Sequence, residues 1–198
     1  SNPTSGIDII HEIPPLQLHQ TYLVVTTRDG FILIHQQLAH ERILYEKYAL
    51  AAHGQQVATQ KSLFPIPLPL SEADAALLQE LLPDLAQIGY LIEPSEQYPF
   101  VIQGIPADVL TGNEQHAIEL LLEQYKHFSS EITYSKREKI IRCMARQQAI
   151  KAGKALPIKE MQQLVDELFN CNSPNISPSG AATYLLFSGD YLTRMFGK

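Results

Sequence analysis

Cysteine is almost missing from this chain: Cys143 and Cys171 stand far apart, with no Cys-x-x-Cys spacing. That excludes a disulfide framework and a structural zinc knuckle and leaves reduced thiols as the expectation. Positive charge is also short, 15 Lys and Arg against 21 Asp and Glu, for a formal charge of -6. Phosphate contacts dominate nucleic-acid affinity, so any contact with DNA has to be local. No apolar run approaches the roughly 20 residues that span a bilayer, and the start carries no signal-peptide pattern. A cytoplasmic protein without membrane association is therefore expected. What is present is 198 residues with 45% hydrophobic content, enough to bury a core as one large domain or two small subdomains.

Residues 1–16 are small, polar and aperiodic up to Glu12, and Pro14-Pro15 follows; they read as a linker end or cloning remainder. Tyr22-Leu23-Val24-Val25 and Phe31-Ile32-Leu33-Ile34 are apolar runs flanking a turn with Asp29-Gly30, the signature of a hairpin. Neither run alternates, so both sheet faces are expected to be covered, one by helices and the other by helices or by a partner subunit. Leu38 to His53 reads as a helix with Ile43, Leu44 and Tyr48 inward. Arg42 and Glu46, four residues apart, read as an exposed ion pair, and Glu41 falls in the first turn, where the helix dipole favours a carboxylate.

The Pro-punctuated segment Leu63–Leu70 fits only an edge strand or extended stretch. Ser71 with Asp74 at capping-box spacing opens a helix running towards Gly89. Tyr90-Leu91-Ile92 and Phe100-Val101-Ile102 predict a second hairpin, and Asn113 to His127 a further amphipathic helix. Seven of the basic residues lie between Lys136 and Lys154, against one acid, Glu138. Lys139, Arg142 and Arg146 share a helix face, suited to tracking a phosphate backbone or to being an ordinary solvated face. A helix over Ile158–Phe169 follows Pro157, then a loop of turn formers from Asn170 to Gly180, a strand over Ala181–Phe187, and a short helix capped by Ser188.

The stretch His35-Gln36-Gln37-Leu38-Ala39-His40-Glu41-Arg42-Ile43-Leu44-Tyr45-Glu46, a strand running into a helix, resembles the signature of the C-terminal domain of MutL mismatch-repair proteins. In nuclease-active members that turn reads Asp-Gln-His-Ala-x-x-Glu-x-x-x-x-Glu. Gln17-Leu18-His19-Gln20-Thr21-Tyr22-Leu23 resembles the family's entry strand, and Gln148–Gly153 resembles the end of the helix that bears its Cys motif. The resemblance covers essentially the whole chain. It implies an α+β fold in two subdomains: a dimerisation subdomain from 17–59 plus 136–198, and an inserted β-α-β-β-α regulatory subdomain over 60–135.

Carried over residue by residue, the family's nuclease positions fall on His35, Gln37, Glu41, Arg146, Ser173 and Asn175, and Glu41 alone is retained. The resemblance thus implies a dimerisation and partner-docking domain with a degenerate endonuclease site and no cofactor. An active metal-dependent nuclease with a displaced set, Glu41, His35, Cys143 and Cys171 on Zn or Mn, is an alternative. An unrelated ligand-binding α+β domain is another. Gln60-Lys61-Ser62-Leu63-Phe64 resembles the Gln-x-x-Leu-Phe peptide that binds the replication sliding clamp, in which Gln60 would bond a polar pocket while Leu63 and Phe64 fill an apolar one. Leu63 and Phe64 read equally well as core residues of an edge strand. The other partners implied are a second copy, the ATPase domain N-terminal to this one, a MutS-type mismatch recognition protein, and DNA bound weakly without sequence preference.

Overall fold

The computed structural model describes residues 7–55, 57–109, 111–128 and 133–197, and the mixed α+β class expected from the sequence is what it contains. The chain divides into two compact units, Ser1–Glu46 with Ala149–Lys198, and Lys47–Gln148.

The first unit is built on an antiparallel sheet of β1 (Leu16–Leu18), β2 (Tyr22–Thr27), β3 (Gly30–His35) and β7 (Tyr184–Ser188), in that spatial order. Register follows the expected hairpin, with Tyr22 opposite His35 and Thr27 opposite Gly30, and β7 adds Leu33 opposite Leu185 and Phe31 opposite Phe187. Successive side chains of a strand point to opposite faces. The face carrying Leu23, Val25, Ile32 and Ile34 is buried against Ala39 and Ile43 of α1 (Gln36–Ala52) and Met161, Leu164, Val165 and Leu168 of α5 (Ile158–Asn170). Each such side chain removed from water contributes about 1.5–3 kcal/mol before ordering costs. The short α6 (Gly189–Met195) follows β7, with the Ser188 hydroxyl accepting from Tyr191 N as its cap.

Two local readings change. Gly30 stands in the turn region as expected, but the constraint on it is space: a Cβ there would meet the Phe187 carbonyl oxygen at 2.0 Å. The glycine is required by the close approach of β7. Secondly, residues from Ile7 onward are more than a linker end. Ile9 bridges Thr27, Ile10 N donates to Thr26 O at 3.0 Å, Arg28 N donates to Asp8 O at 2.9 Å, and Ile7 and Ile9 pack on the core. Short polar spacing concealed two apolar residues placed to extend the sheet edge. Residues 1–6 of that expected linker lie outside the described residues.

The second unit holds a three-stranded antiparallel sheet in the order β4 (Thr59–Leu68), β6 (Phe100–Pro106), β5 (Leu91–Pro94). Its helices are α2 (Glu72–Gln87), α3 (Glu114–Lys126) and α4 (Lys136–Gln148). Leu68, Leu78, Leu81, Leu85, Ile102, Ile118, Leu121, Ile140 and Met144 are buried. The Ser71 cap forms as expected, its hydroxyl accepting from Asp74 N and donating to the Asp74 carboxylate. Lys126 and Ser71 together hold that carboxyl below its ordinary pKa. Because α4 packs on α2 and α3, this compact unit runs from 47 to 148, whereas the sequence placed the insertion at 60–135. Apolar periodicity identifies a helix without saying which neighbours it packs on.

Candidate functional site

The signature turn is where strand passes into helix: β3 ends at His35 and α1 begins at Gln36. Gln36 is fully buried, and its amide donates to the carbonyls of Lys151 and Lys154 at 2.9 and 3.0 Å while its oxygen accepts from Gln17 Nε2 at 2.7 Å. Gln17 in turn accepts from Leu156 N. Gln37 Oε1 accepts from Ala152 N at 3.1 Å, and His40 Nδ1 accepts from Ile150 N at 2.8 Å. The turn is thus an anchor for residues 150–156. That use of Gln17, Gln36 and His40 is invisible in spacing, because apart from the Gln17–Gln36 bond itself these partners are backbone groups more than 100 residues away.

Glu41 is buried, and because α1 begins at Gln36 rather than at Leu38 it lies in the second turn and not in the first, beyond the helix end where the dipole favours a carboxylate. His35 lies on the sheet face opposite the core, edge-on to Tyr22 at 5.3 Å between centroids, with burial holding its imidazole below the usual pKa. Its Nδ1 accepts from Leu38 N at 3.4 Å.

The Arg42–Glu46 pair departs from expectation, since the side chains are 11% and 15% exposed rather than solvated. The Glu46 carboxylate accepts from Asn172 N at 2.7 Å and Ser173 N at 3.0 Å, and Arg42 Nε donates to Ile176 O at 2.6 Å. Spacing of i,i+4 shows that two charges can meet, but not what else closes over them.

A divalent ion needs several carboxylate, imidazole or thiolate ligands converging on it. Among the described residues no three His, Cys, Asp or Glu side chains are grouped for one. The side chain of Gln37 is spent on a backbone amide, and Ser173 and Asn175 offer a hydroxyl and an amide where thiolate and imidazole are the usual donors. For the displaced set, Cys171 and Cys143 belong to different compact units. Burial pushes the Cys171 thiol up to about 12, with Glu46 adding to it, and pushes Cys143 to about 11.

On α4, the expected basic face exists but is engaged within its own unit. Lys139 Nζ sits 5.3 Å from the Tyr125 ring, and Arg142 pairs with Glu138 at 2.7 Å and stacks over Tyr134 at 4.2 Å. Neighbouring Lys136 and Arg137 pair with Glu80 and Asp84 of α2. Arg146 is exposed.

Gln60, Leu63 and Phe64 lie on β4, an edge strand whose pairing with β6 is interrupted between Lys61 and Ile66. There Leu63 is 95% and Phe64 78% exposed, which overturns the core reading of these two residues. An open groove beside them is lined by Gln60, Ile66, Ile105 and Glu114.

The remaining unusual surface is the outer face of the four-stranded sheet. Its register brings together Leu16, Leu18, Tyr22, Val24, Phe31, Leu33, Leu185 and Phe187. Leu16 is 61% and Leu185 52% exposed, and the Phe31 and Phe187 rings stack at 4.7 Å. The adjoining α6 adds exposed Tyr191, Met195 and Phe196.

The chain is thus an α+β domain with a glutamine-anchored strand-to-helix turn and an apolar outer sheet face. A family model described as MutL C terminal dimerisation domain matches residues 16–156, so the chain belongs to that family of DNA mismatch repair domains. The DNA mismatch repair protein MutL of Chloroherpeton thalassium is 33% identical over 182 residues, 92% of this chain and 28% of the relative. That of Flavobacterium johnsoniae is 33% identical over 180 residues, 91% and 28% respectively. That of Chlorobium phaeobacteroides strain BS1 is 31% identical over 182 residues, 92% and 29%. The chain spans less than a third of the length of these relatives. Membership sets aside the unrelated ligand-binding domain. Among the described residues no helix is long and apolar enough to cross a membrane.

Proposed function

We propose that this domain is the self-association and docking module of a MutL mismatch-repair protein, homodimeric through the outer face of its four-stranded sheet. The carrying observation is that face: eight apolar residues in register on strands whose other side already holds the core. Continuous apolar runs are the mark of a sheet covered on both faces, and an obligate interface resembles a core cut in half. Static light scattering at micromolar concentration tests it, with twice the chain mass expected and a monomer contradicting it. On this reading the first compact unit is the dimerisation subdomain and the second the inserted regulatory one.

A second function rests on a separate observation. Leu63 and Phe64 project from the interrupted edge of β4 with Gln60 three residues upstream, the form of a short apolar anchor for the sliding clamp. Binding at micromolar or weaker affinity, abolished by Leu63→Ala with Phe64→Ala in a folded domain, is the expected result. The partners on the rest of the pathway are the N-terminal ATPase domain and a MutS-type protein, in a cytoplasmic setting. DNA contact through Lys139, Arg142 and Arg146 is weak, sequence-indifferent and salt-dependent, because Lys139 and Arg142 are already neutralised or stacked within the unit. Charge reversal at the three that left DNA binding unchanged would remove them.

The domain does not nick DNA on its own account. Its donors at the nuclease positions are too few to hold a catalytic ion, and supercoiled plasmid is expected to survive incubation with manganese. Manganese-dependent nicking that disappears in both Glu41→Ala and Cys171→Ala would restore the displaced-site alternative.

A further inference from the structure

The loop 172–176 is tied to α1 by two charged side chains, Arg42 and Glu46. Both oxygens of Glu46 accept from its backbone, from Asn172 N and Ser173 N at 2.7 and 3.0 Å. Arg42 lies between helix and loop, Nη1 3.7 Å from Glu46 and Nε donating to Ile176 O at 2.6 Å. The guanidinium is also 5.0 Å from the Tyr45 ring. Charge-assisted bonds of this kind are about twice as strong as neutral ones, and burial keeps water from competing for them.

The loop then hands its position to the sheet. Asn175 O accepts from Thr183 N at 3.2 Å, Pro174 O accepts from the buried Thr183 hydroxyl, and Thr183 O accepts from His35 N at 2.9 Å. Thr183 is the residue before β7. We propose that Arg42 and Glu46 form a metal-independent clasp that positions the 172–176 loop and, through Thr183, the entry of β7 into the sheet. They are positioning residues for Leu185 and Phe187, and that last consequence for assembly rests on the dimer reading above.

Residue-resolved hydrogen exchange on the whole domain tests the clasp. In the native chain the Asn172 and Ser173 amides are expected to be protected equally in EDTA and in added zinc. In Glu46→Gln they exchange at least about ten-fold faster, while amides of β2 such as Val25 keep their protection, and the dimer dissociation constant rises by a similar factor. Should Glu46→Gln not fold, Arg42→Lys, which keeps the charge and loses the Nε bond to Ile176, is expected to speed exchange through 172–176 in the same way. Unchanged protection in either folded variant overturns the clasp, as does native protection that vanishes in EDTA and returns with zinc. Lost protection with an unaltered dimer overturns the link to β7. A native monomer defeats the dimer reading and leaves the exchange result to decide the clasp.

Discussion

The two sheets of this molecule are both antiparallel and both carry a buried core face, yet their other faces differ in kind. On the four-stranded sheet the outer register is Leu16, Val24, Leu33 and Leu185 across the strands, with Phe31 against Phe187 one step along. On the three-stranded sheet the corresponding row is Pro67, Val101 and Glu93, with Gln103 nearby. Antiparallel sheets commonly leave one face in water, and the second sheet is of that sort. The first carries apolar residues on both faces. Among its described residues the second unit exposes large apolar groups at Leu50 on α1 and at the interrupted point of β4, Leu63 and Phe64, rather than over a sheet face. The contrast is between an apolar face spread over four strands and two exposed side chains at one break in an edge strand.

The largest expected effect distinguishes the two faces of the first sheet. Ile34→Ala, on the buried side, should cost about 2–5 kcal/mol in urea unfolding because it leaves a cavity. Leu33→Ala, its neighbour on the outer side, should cost about 0.5 kcal/mol at concentrations where the chain is monomeric and more where it dimerises. Equal costs at all concentrations would erase the distinction. Next in size is Gly30→Ala, expected to cost about 1–3 kcal/mol because the added Cβ meets a backbone carbonyl that cannot rotate away. Gly104→Ala on the second sheet should also cost about 1–3 kcal/mol, since the added Cβ meets the methyl of the stiff Thr59 at 2.7 Å, whose hydroxyl is bonded to Gly89 O, and the Gln60 carbonyl oxygen at 3.1 Å.

The thiols sharpen the comparison at high pH. Folding raises Cys143 to about 11 and Cys171 to about 12 from an ordinary 9.0, so the native state holds protons that the unfolded state releases. Their contribution is undiminished below pH 9 and is lost progressively between 9 and about 12. Replacing each by Ser should flatten the fall in stability over that window, and alkylation at pH 8 should be slow in both units until denaturant is added. Smallest of all, Leu63→Ala with Phe64→Ala should change stability by no more than about 0.5 kcal/mol by thermal melting, because neither side chain is buried.

Much of this was readable from residues. The strand pairs and the Ser71 and Ser188 caps follow from local chemistry, as does the helix after the first hairpin, although it begins at Gln36 where Leu38 was expected, and the unbroken apolar runs of β2 and β3 correspond to a sheet that is apolar on both faces. What periodicity could not supply were partners distant in sequence. Glu46 looks like half of a surface pair until Asn172 and Ser173 close over it. Gln36 looks like a polar residue at a helix start until Lys151 and Lys154 present their carbonyls. Gly30 looks like a turn glycine until β7 arrives. The same limit applied to α4, whose basic face was legible while its acidic and aromatic partners on other elements were not.

Sedimentation equilibrium across micromolar concentrations on three proteins tests the central claim most directly: the native domain, Leu185→Asp on the outer face of the first sheet, and Val101→Asp at the comparable place on the second. The account predicts a dimer for the native chain and for Val101→Asp, and a folded monomer for Leu185→Asp, with circular dichroism unchanged throughout. A native monomer, or a Leu185→Asp variant that remains as dimeric as the native chain, would contradict it.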